Sequence, residues 1–195
     1  MIDDVTVCIP TIPTRTEMLN RALRSVAAQT LPARAVAVAY DVRREGAWAT
    51  RNRAARMSRT TWTAFLDDDD EFARGHLRLL LGNAIEFQAD VVWAWFEVIG
   101  GKDPFPHYRG KQYDPAQPHV VPITYMVRTE LLHEAMEKMG GFQPDTPGGG
   151  GVWDLQDMPL LNTFADLGAK MHADPSSSWF WHHHGRNTSG MPHRW

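Results

Sequence analysis

Cysteine is nearly absent from this chain. Its 195 residues include one, Cys8, which excludes an internal disulfide. Its place in the apolar run VTVCIP marks it as a small core residue, and a reducing, cytoplasmic setting is expected. Long hydrophobic runs are missing too. No apolar stretch approaches the roughly 20 residues of a membrane-spanning helix. The opening MIDDVTVCIP lacks the basic region and apolar stretch of a secretory signal. Charge of one sign does not dominate either. With 20 Lys+Arg against 23 Asp+Glu, the net charge is −3, so no global field draws the chain onto nucleic acid or an anionic membrane. Internal repeats and a clear domain boundary are also lacking. What is present, an apolar fraction of 43% with eight tryptophans, suits one globular domain with a real core.

The first half alternates two periodicities. VTVCIP (5–10) is a β-rich run ended by proline. Helical spacing follows at Leu19, Ala22, Leu23, Val26 and Ala27, and Thr14 and Glu17 have the spacing of a capping box. AVAVAY (35–40) reads as a strand, 46–58 as a helix with an arginine-rich face, and TWTAFL (61–66) as a third strand. A helix is expected over 73–87 and a fourth strand over 90–99. This order predicts an α/β fold: a mostly parallel sheet flanked by helices in a single compact domain. In such sheets ligands bind beyond the carboxyl ends of the strands, where Thr11, Asp41 and Asp67–Asp70 all fall. The second half is less regular. Residues 100–119 read as a long loop or loose hairpin, then come a strand and a helix stopped by Gly140–Gly141. The glycine run Gly148–Gly151 leads to a helix ending near Gly168, and the tail holds one strand-like run.

Four consecutive aspartates, Asp67–Asp70, follow the third strand. An acidic run beside a helix N-terminus can simply be solvated there. At the binding edge of an α/β sheet, a divalent cation relieves the repulsion, because hard cations take carboxylate oxygens. Mg²⁺ or Mn²⁺ held by carboxylates draws its other ligands from phosphates and water. The run therefore points to a phosphate-bearing ligand, in the first place a nucleotide.

Five segments in order carry a resemblance: VTVCIPTIPTRTEMLNRALRSVAAQT, ATRNRAA, FLDDDD, VWDLQDMPLLNTFADLGAKM and HGRNTS. Together they resemble glycosyltransferase family 2, which has the Rossmann-like GT-A fold. FLDDDD resembles the family's metal-binding D-x-D segment, and VWDLQD its acidic motif. The chain departs from the family in having YDV after the second strand and LQD at the acidic motif. The resemblance implies a GT-A domain over 1–195, with a nucleotide-binding half at 1–99. An acceptor-binding half with a C-terminal metal/His element would occupy 100–195. It implies transfer of a sugar from a nucleotide-diphosphate sugar, with inversion, to an acceptor hydroxyl, aided by Mn²⁺ or Mg²⁺. The acceptor stays open among protein, glycan, lipid, small molecule and modified nucleic-acid base.

Carried over by position, the resemblance makes Asp69 the principal metal ligand and His184 a further one. Thr11, Asp41, Arg51, Asp67 and Asp68 fall at nucleotide or near-metal positions. Asp157, or Asp154 one helical turn away, falls at the general base, which must take the acceptor proton. Asp70 is expected to cap the following helix. In a strand His182 and His184 share a face while His183 points away. Trp93, Trp95 and Trp153 are either core or stacking residues. Two other readings stay open. A nucleotidyltransferase is expected to carry a glycine-rich loop after its first strand, and IPTIPTRTE has no glycine. A non-catalytic nucleotide- or carbohydrate-binding module would bind without transferring.

Overall fold

The computed structural model describes residues 4–144 and 158–184. β1 (Val5–Thr11), β2 (Ala35–Tyr40) and β3 (Trp62–Phe65) are joined by α1 (Thr16–Ala27) and α2 (Ala47–Ala55). A short β4 (Glu71–Phe72) leads to α3 (His76–Glu86) and β5 (Val91–Ile99). A 3₁₀ turn (Pro106–Tyr108), β6 (Met126–Arg128), α4 (Thr129–Met139), α5 (Met158–Asp166) and β7 (Met171–His182) follow. The strands form one sheet in the order β2-β1-β3-β6-β5-β7-β4.

The sheet is parallel over its longer pairings and mixed at β6 and β4. β1 runs parallel to β2 and β3, and β5 to β7, while β6 lies antiparallel between β3 and β5 and β4 pairs antiparallel with β7. Hydrophobic periodicity reports which face a residue takes, not which way a strand runs. The strand expected before the helix that stops at Gly140–Gly141 is β6, but its antiparallel direction is not written in that pattern.

Alternation along the strands divides the core into two layers. Val5, Val7 and Ile9 of β1 join Trp62 and Ala64 of β3 under α1 and α3, with Leu19, Val26, Leu77 and Leu80. Cys8, Phe65, Val91, Trp93 and Val127 face the other side, with Leu132, Leu160 and Phe164. Strands buried on both faces read as near-continuous apolar runs, which is why VTVCIP and WTAF stand out. Trp93 and Trp95 are sealed in this core, each 1% exposed, so neither stacks on a ligand.

Two expected caps do not form. α1 begins at Thr16 behind Arg15, with no side-chain cap, so Thr14 and Glu17 make no capping box. Asp70 does not cap α3. Its carboxylate accepts the backbone N–H of His182 at 3.0 Å, because β4 pairs with β7 and brings that strand end alongside. The connection after β5 is tied down: Asp103 accepts Trp95 Nε1–H at 2.7 Å, and the Gln112 amide both donates to and accepts from the Ala173 backbone.

Candidate active site

The carboxyl ends of β1, β2 and β3 converge on one cleft of about 240 Å³, walled by Thr11, Asp41, Arg51 and Asp67–Asp70. The residues that periodicity places at this edge are brought together by the parallel β2-β1-β3 core.

Each aspartate has its own surroundings. Asp67 receives both of its hydrogen bonds from Arg51 Nη2, at 2.7 and 2.9 Å. Asp68 accepts from Thr11 Oγ1 at 2.6 Å and from Arg15 Nη1 at 2.8 Å. Asp69 Oδ2 lies 3.3 Å from Arg15 Nη1 and 2.9 Å from His184 Nε2, and the Asp69 carbonyl accepts from Arg21. Asp70 is buried against β7. Burial, and then the charges of Asp69 and Asp67, push its carboxyl well above the usual carboxylate range. Burial also raises Asp68, although Thr11 and Arg15 oppose it.

One oxygen from each of Asp67, Asp69 and Asp70 can lie within 4.8 Å of the others. Three carboxylates at that spacing, one of them starved of solvent, fit a hard divalent cation. Asp68 is the aspartate left out, since Thr11 and Arg15 hold it. His184 Nε2 reaches Asp69 Oδ2, while His182 Nε2 lies 2.8 Å from Glu71 Oε1. His183 turns the other way and packs edge-on against Trp181, with ring centroids 4.6 Å apart.

Asp41 works differently from its neighbours. Its two oxygens accept the N–H groups of Glu45 and Gly46 at 2.9 and 2.8 Å. Burial acts to raise this carboxyl, but those backbone donors and Arg53 outweigh it and hold it below the usual range. The carboxylate thus folds the loop that starts α2, with Gly46 at φ 101°, and still borders the cleft.

Arg15, Arg21 and Trp181 also belong to this neighbourhood and are not singled out by sequence reasoning. Arg15, four residues beyond Thr11 at the same sheet edge, carried a usable signal. Trp181 lines the cleft only because β7 folds back beside β4, which no local pattern announces. Asp154, Asp157, Trp153 and Gly148–Gly151 lie outside the described residues, as does HGRNTS beyond His184.

A family model, Glycosyl transferase family 2, matches residues 35–138, more than half of the chain. No curated protein matches the chain. Among solved structures, S. aureus TarS 1-349 in complex with UDP-GlcNAc is similar, with a TM-score of 0.75 and 16% identity over 96% of this chain and 61% of that one. The TarS 1-349 complex with UDP gives 0.69 and 18%, over 92% of this chain and 60% of that one. The mannosyltransferase PcManGT from Pyrobaculum calidifontis, in complex with GDP-Man and Mn²⁺, gives 0.66 and 15%, over 94% of this chain and 58% of that one. The chain therefore spans about three fifths of the length of these structures. At such identities the likeness establishes the shared GT-A fold.

Proposed function

The chain belongs to glycosyl transferase family 2, and from that membership we propose that it moves a sugar from a nucleotide-diphosphate sugar to an acceptor hydroxyl, with inversion. The observation that carries this reading is the cleft itself. Three carboxylates able to converge on one point sit beside Thr11, Asp41 and Arg51, at the edge where parallel sheets bind ligands. In this reading Asp67, Asp69 and Asp70, with His184 beside Asp69, hold Mn²⁺ or Mg²⁺. A cation there supplies Lewis acidity for the charge of the departing diphosphate. Thr11, Asp41 and Arg51 form the nucleotide wall, and Asp68 holds Thr11 and Arg15 in place. Asp157, or else Asp154, takes the acceptor proton. Residues 1–99 make the donor half and 100–195 the acceptor half. No helix among the described residues is long and apolar enough to cross a membrane.

A thermal-shift panel of nucleoside diphosphates and nucleotide sugars, with and without Mn²⁺, tests this reading, since a ligand of the native state raises its apparent stability. The similar folds make UDP-GlcNAc and GDP-Man the first donors to try. Metal-dependent stabilisation by a nucleotide sugar, followed by its transfer or hydrolysis, is expected. Stabilisation with neither transfer nor hydrolysis identifies a binding module instead, and no stabilisation by any nucleotide refutes the reading.

A further inference from the structure

Arg15 stands where β1 gives way to α1, and nothing in the proposed reaction yet uses it. Its Nη1 donates to Asp68 Oδ1 at 2.8 Å and to Asp69 Oδ2 at 3.3 Å. The side chain is 30% exposed, whereas those of Asp68 and Asp69 are 4% and 13% exposed. Arg15 is thus the more solvent-exposed partner at the cleft wall, and the carboxylates it holds are the more buried. The neighbouring cations are placed differently. Arg51 is buried and spends Nη2 on both oxygens of Asp67, and Arg21 holds the Asp69 carbonyl and Glu71.

The oxygen that Arg15 shares matters most. Asp69 Oδ2 faces both Arg15 and His184, and Asp69 belongs to the trio able to close on a cation. A divalent ion at that trio places positive charge beside a guanidinium that is itself always charged. The two cations compete for one carboxylate. An arginine loosened there is partly exposed at the mouth of the cleft, and its planar fork matches phosphate oxygens.

We propose that Arg15 is the resident counter-cation of Asp68 and Asp69, gives up Asp69 when a divalent cation binds, and then donates to the diphosphate of the nucleotide. This rests on the nucleotide-sugar reading above. It makes Arg15 a residue with two opposed effects, hindering the metal when alone and helping the diphosphate afterwards.

The test is calorimetric titration of the full chain and its Arg15→Ala and Arg15→Lys variants, first with Mn²⁺ alone, then with UDP and GDP at saturating Mn²⁺. Removing a partly exposed competing ion pair should tighten Mn²⁺ binding by Arg15→Ala about two- to fivefold. Losing a charge-assisted phosphate contact should weaken the diphosphate roughly tenfold or more. Arg15→Lys keeps the charge without the fork, so it should bind Mn²⁺ like the wild type and recover the diphosphate only in part. Unchanged or weaker Mn²⁺ binding by Arg15→Ala overturns the proposal, as does a wild type that binds no Mn²⁺. If the wild type binds a diphosphate and Arg15→Ala binds it equally well, the handover alone is wrong. If the wild type binds Mn²⁺ but neither diphosphate, the transferase reading itself fails and the handover with it.

Discussion

Asn52 offers a test of how α2 is locked to the turn after α4. Its buried amide donates to the Phe142 carbonyl and accepts the Phe142 N–H, both at 2.9 Å. Gly141 precedes that residue with φ +89°, and a Cβ built on it would lie 2.2 Å from Asn52 Oδ1. Glycine is therefore required twice over, by the backbone angle and by the amide. Asn52→Ala removes two buried hydrogen bonds and orphans a backbone donor and acceptor, which together cost about 2–4 kcal/mol. For a chain of this size that is roughly 4–15 °C in melting temperature. Gly141→Ala in the native background suffers both the left-handed angle, about 1–2 kcal/mol, and the clash with Oδ1. In the Asn52→Ala background the oxygen is gone, leaving the angle and a milder contact with the Met136 methyl at 3.2 Å. The second substitution should then cost at least about 1 kcal/mol less than it does alone. Urea unfolding of the wild type, the two single variants and the double variant measures this coupling. Additivity within about 0.5 kcal/mol would refute the idea that the amide shapes the turn.

Three further outcomes are expected. Asp69→Asn should keep the fold, since it relieves repulsion among Asp67, Asp69 and Asp70. It should lose Mn²⁺-dependent nucleotide binding in the thermal-shift assay, and undiminished binding would remove Asp69 from the metal site. Asp157→Asn should lower turnover by about 10²–10⁴ with donor affinity nearly intact. If the Asp154→Asn control shows that loss instead, the base is one helical turn away. His76 is fully buried against Ser178, and burial depresses it from 6.5 to about 3. It stays neutral in the fold while the unfolded chain takes up its proton below pH 6.5, so stability falls as the pH drops from there towards 3. At pH 5 the loss is about 2 kcal/mol relative to neutral pH. The difference in urea stability between pH 7.5 and pH 5 should shrink by about that amount in His76→Gln, and an unchanged difference would show that His76 is protonated within the fold.

Much of the cleft wall at the strand ends was legible in the sequence, because its information is local. Runs buried on both faces announce strands, and helical spacing announces the helices between them. A parallel β2-β1-β3 arrangement then puts Thr11, Asp41 and Asp67–Asp70 at one edge whatever the rest of the chain does. The four aspartates spoke for a cation because like charges at a buried strand end need a counter-charge. Tertiary structure alone decided which countercharges serve which carboxylate. Arg51 took Asp67, Arg15 took Asp68 and part of Asp69, and Asp70 turned away from α3 to the backbone of His182. It also decided the antiparallel insertion of β6 and the return of β7 beside β4, which carries His184 to Asp69 across 115 residues of chain. Periodicity encodes which face of an element is apolar. Strand direction and long-range pairing are instead settled by how the two core layers close over the sheet, and no window of sequence contains that contest.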